Sequence, residues 1–122
     1  MARNKSVATV TIANGASLSG AIALGDKVLC AILMPAAWTA AALSFQASDD
    51  NGTTFGDMFD DGGVEISIPT AGAVAGQRIS VDPSMFAGVD VLKVRSGLTA
   101  AAVNQGAARV VTLISRKFYA LD

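Results

Sequence analysis

Turn-forming residues cut this chain into short pieces, most of them the length of a strand, and that punctuation constrains the fold more than any other feature. Residues 6–12 alternate β-branched with small or polar side chains and run into Asn14-Gly15, a pair that tolerates positive φ. Residues 18–24 predict a weaker strand with Gly20 inside it, and residues 27–33 an apolar one that Pro35 stops. Strands are expected over 41–48, 55–59, 64–68 and 77–81, separated by a polar turn at 49–54, by Asp60-Asp61-Gly62-Gly63 and by Pro69. Residues 82–88 predict one helical turn, with Asp82 placed to cap it and Pro83 at its first position. Strands over 90–96 and 108–118 close the chain. Roughly eight or nine short strands at near-regular spacing predict an all-β chain, a single antiparallel β-sandwich that is jelly-roll-like. Alanine is abundant and favours helix, but neither 36–43 nor 98–103 carries a sustained 3.6-residue apolar stripe, and glycine recurs too often for a helical bundle.

At 122 residues the chain is the size of one domain. We read residues 6–122 as that domain and residues 1–5 as a flexible N-terminal arm. With 52% apolar and 16% charged residues it is no disordered or solvating chain. Nine basic residues against ten acidic ones give a net charge of −1, which leaves no electrostatic footprint for nucleic acid or an anionic membrane. There is no histidine and one cysteine, which excludes hydrolase sites that need an imidazole and a Cys/His zinc site. The chain is therefore expected to be no enzyme and to carry no cofactor. Cys30, inside an apolar run, is expected to be buried and inert. Residues 28–48 carry no charge, but Pro35 interrupts them and 43–48 alternate with period two, which predicts two strands instead of a bilayer span. The segment after Arg3 and Lys5 alternates and does not read as the apolar core of a signal peptide.

Ser48-Asp49-Asp50-Asn51-Gly52-Thr53-Thr54-Phe55 resembles the Asp-box hairpin, with Phe55 where that motif prefers tryptophan. Asp50 is placed to accept backbone amides across the bend, Gly52 to take the left-handed conformation, and Phe55 to anchor the hairpin from below. The motif is structural where it occurs and implies no activity. Asp49, Asp50, Asp57, Asp60 and Asp61 lie close together in sequence and invite a calcium reading, but an EF-hand's central glycine and final glutamate are both missing. A solvated acidic rim is the plainer reading. Glu65 with one of these aspartates would supply a glycosidase pair on paper, yet it alternates with Val64, Ile66 and Ile68 and reads as an ordinary outward residue. Trp38, beside an apolar run, reads as core before it reads as a sugar platform.

A longer order of words is also present: Pro35-Ala36-Ala37-Trp38-Thr39, a Phe45-containing strand, the Asp-Gly turn, Asp82-Pro83-Ser84-Met85-Phe86-Ala87-Gly88, Arg95-Ser96-Gly97, an alanine-rich loop and a last strand. In that order the chain resembles the small virion structural proteins of tailed bacteriophages over most of residues 20–118. The resemblance implies a capsid cement or decoration subunit that stabilises the head shell, bound to the major capsid protein or another virion protein and located on virions assembled in the host cytoplasm. A tail or neck component, or a carbohydrate-binding sandwich of a host-recognition device, is the alternative. No catalytic residue comes with it.

High apolar content with few charges suits a chain that covers its exterior with copies of itself and a shell. Residues 96–108 carry no charge, and Leu98, Ala100, Ala101, Ala102 and Val103 are expected to form a subunit contact, in a cyclic homo-oligomer for which a trimer is favoured. Residues 6–12 are expected to be an edge or swapped strand. Arg3 and Lys5 on the arm ahead of them are expected to engage a neighbour.

Overall fold

A computed structural model describes residues 5–117 of the chain. Among the described residues ten strands and one short helical turn are laid out as β1 (Lys5–Ile12), β2 (Ile22–Ala23), β3 (Val28–Leu33), β4 (Leu43–Ser48), β5 (Gly56–Asp57), β6 (Ser67–Ile68), β7 (Arg78–Ser80), a 3-10 turn (Pro83–Phe86), β8 (Val91–Leu98), β9 (Ala101–Ala102) and β10 (Arg109–Arg116). One sheet has the order β1-β10-β3-β7 and the other β2-β8-β4-β5, with β6 also on β4 and β9 also on β8. β5 and β6 lie end to end along the same side of β4, facing Gln46-Ala47 and Leu43-Ser44. Taken as one interrupted strand, they give each sheet four positions, and among these the chain crosses between sheets at every step except the β4–β5 hairpin, the connectivity of an antiparallel jelly-roll sandwich.

The period-two alternation decides what lies between the sheets. Val10, Ile12, Leu29, Ile32, Val111 and Leu113 face inward from one sheet and Leu43, Phe45, Leu92 and Val94 from the other, all buried. The helical turn closes an end of this core. Asp82 accepts the Ser84 amide at 3.0 Å as its cap, and Phe86 meets Phe45 edge-on at 5.2 Å between ring centroids. Such an aromatic pair adds about 1 kcal/mol beyond its area burial.

Several expectations need correction. Lys5 is no part of an arm: it is the first residue of β1 and lies opposite Arg116 on β10. Arg3 lies outside the described residues. The strand expected over 18–24 shrinks to Ile22–Ala23, with Leu18 held to Arg95 by one bridge, because the chain is crossing from one sheet to the other there. The strands expected over 55–59 and 64–68 shorten likewise to Gly56–Asp57 and Ser67–Ile68, joined by a bridge from Phe59 to Glu65. Cys30 is half-buried instead of core: the β10–β3 register steps from Ile114↔Ala31 to Ser115↔Leu29, which leaves Cys30 in a bulge with its thiol donating to the Ile114 carbonyl at 3.4 Å. Trp38 is half-buried at the core's margin, its Nε1 donating to the Ala41 carbonyl at 3.2 Å. Among the described residues β1 stands at the edge of its sheet, the first of the two arrangements, edge or swapped, expected for this segment.

Candidate interaction surface

Residues 96–108 are not the free loop that their length suggests. β8 runs on to Leu98, turns at Thr99-Ala100 and returns as Ala101–Ala102, with Leu98 opposite Ala101 and Gly97 opposite Ala102. The Val103 amide donates back to the Ser96 carbonyl at 2.9 Å. Gly97 permits this return. Its φ is +92°, and a Cβ there would stand 2.5 Å from the Ala101 carbonyl oxygen, so no other residue fits without displacing backbone. The hairpin presents Ala100, Ala101 and Ala102 to solvent, while Leu98 and Val103 are half-buried beneath it.

Two polar clusters hold this hairpin from below. On the outer face of the second sheet Arg95, only 8% exposed, contacts Asp57 and lies 3.4 Å from Glu65. Its Nη1 also donates to Ser44 Oγ at 3.1 Å and to Thr99 Oγ1 at 2.8 Å. Glu65 takes the Thr99 amide at 3.1 Å and its hydroxyl at 2.5 Å. The turn of the hairpin is thus tied to an Asp–Arg–Glu cluster instead of resting on water. Glu65 is correctly placed on the outer face but is not an ordinary solvated residue, its side chain being 16% exposed under Arg95 and Thr99. The Arg95 guanidinium beside it, helped by Gln46, holds the Asp57 carboxyl below the usual carboxylate range. A glycosidase acid needs a raised pKa, and Arg95 pushes the other way.

The second cluster centres on Gln105, which is buried. Its amide nitrogen donates to the Ser96 hydroxyl at 2.7 Å and the Thr39 carbonyl at 3.0 Å, and its oxygen accepts the Thr39 amide at 2.8 Å and Arg109 Nε at 3.0 Å. Its own backbone pairs with Ala16 and Gly15. One residue, through its backbone and its side chain, therefore fastens the loop after β1, the Trp38-Thr39 bend and the foot of the hairpin together. Nothing in the sequence singles Gln105 out except that it is a large polar residue in an uncharged stretch.

The register also shows which expected interface residues come together. Ile12 lies opposite Arg109, at the Gln105 end, and Lys5 is seven positions away along β1. At ~3.3 Å per residue this puts Lys5 roughly 23 Å from that end, so Lys5 and the hairpin form two separate surfaces.

The Asp-box-like turn has the geometry expected of it. Asp50 accepts the Thr54 hydroxyl at 2.6 Å, the Thr54 amide at 3.0 Å and the Ser48 hydroxyl at 2.7 Å, while Ser48 Oγ accepts the Gly52 amide at 2.8 Å. Bonds from Thr54, then from Ser48, bring the Asp50 pKa down to about 2. Gly52 has φ +87° and packs beside Phe55. Lys93 Nζ sits 4.3 Å from the centroid of Phe55, so that ring already carries a cation on one face. Asp60 is used in the same way, accepting the amides of Gly62 and Val64 at 2.8 and 2.9 Å. Among the described residues no three acids converge on one point to hold a metal.

These contacts set two expected outcomes. Ser48 is buried, and Ser48→Ala strands the Gly52 amide, so urea unfolding should show a loss of about 1–2 kcal/mol; a loss under a few tenths would mean water replaces the hydroxyl. Asp26, Asp50 and Asp57 all have folded pKa values below 3.8. Their contribution is complete above that value and is lost as pH falls through the folded pKa values, so the melting temperature should drop steadily from about pH 4 to about pH 2. A flat profile over that window would contradict it.

The chain matches no family model, and no curated protein is detectably similar to it in sequence.

Proposed function

We propose that this chain is a structural subunit of a tailed-phage virion, a cement or decoration protein bound in many copies to the head shell, with the hairpin over Leu98, Ala100, Ala101, Ala102 and Val103 as its contact. The observation that carries the reading is the hairpin itself: a row of exposed, uncharged alanines fixed from beneath by Glu65, Arg95 and Gln105. Small side chains let a second backbone approach closely, and a surface fixed in advance loses little entropy on binding. The resemblance over residues 20–118 points the same way. Jelly rolls serve in viral shells, in lectins and in cupins, so the fold alone does not choose among them. A cupin's metal site has no histidine to draw on here. The carbohydrate-binding alternative is weakened by Phe55, whose ring is covered by Lys93 on one face. Copies meeting at the hairpin would form a cyclic trimer.

The test is co-sedimentation with expanded head shells. Ala101 is exposed, so Ala101→Asp should leave the fold intact and place an unpaired charge in the contact, at a cost of several kcal/mol per copy. We expect the wild type to pellet with shells and the variant to remain a folded monomer in the supernatant. Equal binding by both, or none by the wild type, would overturn the assignment.

A further inference from the structure

Among the described residues six large apolar side chains are exposed, and the three most exposed form two groups, one of them a single residue. Val7 is 57% exposed on the edge strand β1, and Phe59 and Val64 are 51% and 64% exposed on the turn after β5. β1 borders one side of the sandwich, whereas β5 closes the far side of the other sheet. Each group has its own charge. Val7 stands two residues from Lys5 on the same face of β1, and Phe59 and Val64 enclose Asp60 and Asp61. One edge therefore sets an apolar side chain beside a lysine, and the other sets apolar side chains beside aspartates.

β1 is also poorly protected as an edge. It is eight residues long and carries no proline and no charge after Lys5, whereas β2 and β5 have two residues each and β7 has three. The Gly20 amide reaches the Thr11 carbonyl at 3.4 Å and closes the edge near its end, which leaves the stretch from Lys5 to Thr9 open among the described residues.

We propose that a second copy of this chain docks there head to tail, its Phe59–Val64 turn packing on Val7 and its Asp61 facing Lys5. Opposite charge favours the acidic turn, whose Asp61 is exposed, as the partner of Lys5. Patches at opposite edges of one chain make a heterologous contact that repeats from copy to copy. An interface of a few side chains lies below the ~1,200 Å² of a stable complex, so the contact is weak for one pair and gains strength through many copies on a scaffold. This deepens the multi-copy reading and is distinct from the hairpin contact.

The experiment is sedimentation equilibrium in the Ala101→Asp background, which removes the hairpin contact and so separates the two claims. We expect concentration-dependent association at low salt that weakens at high salt. Lys5→Glu and Asp61→Lys should each weaken it at least tenfold, and the two together in one chain should restore it. Association untouched by either single variant, a double variant no better than the singles, or no association at millimolar concentration would overturn the proposal, whatever the shell assay shows.

Discussion

Arg95→Met should lower the unfolding free energy by about 3 kcal/mol and reverse the local response to acid. In the native protein one guanidinium, 8% exposed, serves both Asp57 and Glu65, whose side chains are 28% and 16% exposed. Removing it leaves two partly buried carboxylates without the counter-ion they share. Breaking a fully buried pair costs 3–5 kcal/mol, and the partial exposure of both acids sets this case at the lower end. The sign of the pH effect identifies the cause. With Arg95 present, Asp57 is held below its ordinary pKa and acid destabilises the fold. With Arg95 gone, Asp57 loses the bond that lowers its pKa and keeps the burial that raises it, so its penalty is full above the folded pKa and relieved as pH falls through it. The variant should therefore regain part of its lost stability between about pH 6 and pH 4, where the wild type gains none. Urea unfolding at both pH values reads this directly, and an equal loss at both would mean Arg95 matters for packing and not for charge.

Gly97→Ala should cost a similar amount, about 3 kcal/mol, and lower the melting temperature by roughly 10 °C. The φ of +92° is costly for any L side chain, and the added methyl would meet the Ala101 carbonyl oxygen at 2.5 Å and the Val103 nitrogen at 2.7 Å. Both obstacles are backbone, so no rotamer change relieves them. To accept the methyl the hairpin must open, and the Thr99 contacts to Glu65 and Arg95 then stretch. Amide exchange should become fast at Val103 and Thr99 while the central residues of β8 and β4 stay protected. A variant with native melting temperature and protection would show that the hairpin tolerates a different return path.

Local pattern makes the architecture readable. Alternation in 6–12 and 108–118 marks β1 and β10 because one face of each is buried, and Asp82-Pro83 marks the helical turn because cap and ring act within a few residues. The Asp-box-like turn is legible for the same reason, since all its bonds lie between Ser48 and Thr54. Strand ends are less so. Residues 18–24 have strand-like composition, yet their course is set by the crossing between sheets, which depends on where β8 lies. The anchor of the hairpin is hidden most completely. Parity puts Glu65 and Arg95 on an outer face, but only the sheet order brings residues thirty positions apart within 3.4 Å. Gln105 bonds to Thr39 across sixty-six positions, and no local signal announces such a partner. Residues 96–108 read as a loop because Gly97 interrupts the strand pattern, when that glycine is what lets the strand fold back.

A reconstruction of the expanded head shell with this chain bound, at a resolution that traces side chains, tests the functional account most directly. The account predicts density for the sandwich in many copies on the shell, with Ala100, Ala101 and Ala102 buried at a subunit contact and the Arg95 cluster unchanged beneath them. Copies on the shell with those alanines facing solvent, or a shell that carries none of the chain, would contradict it.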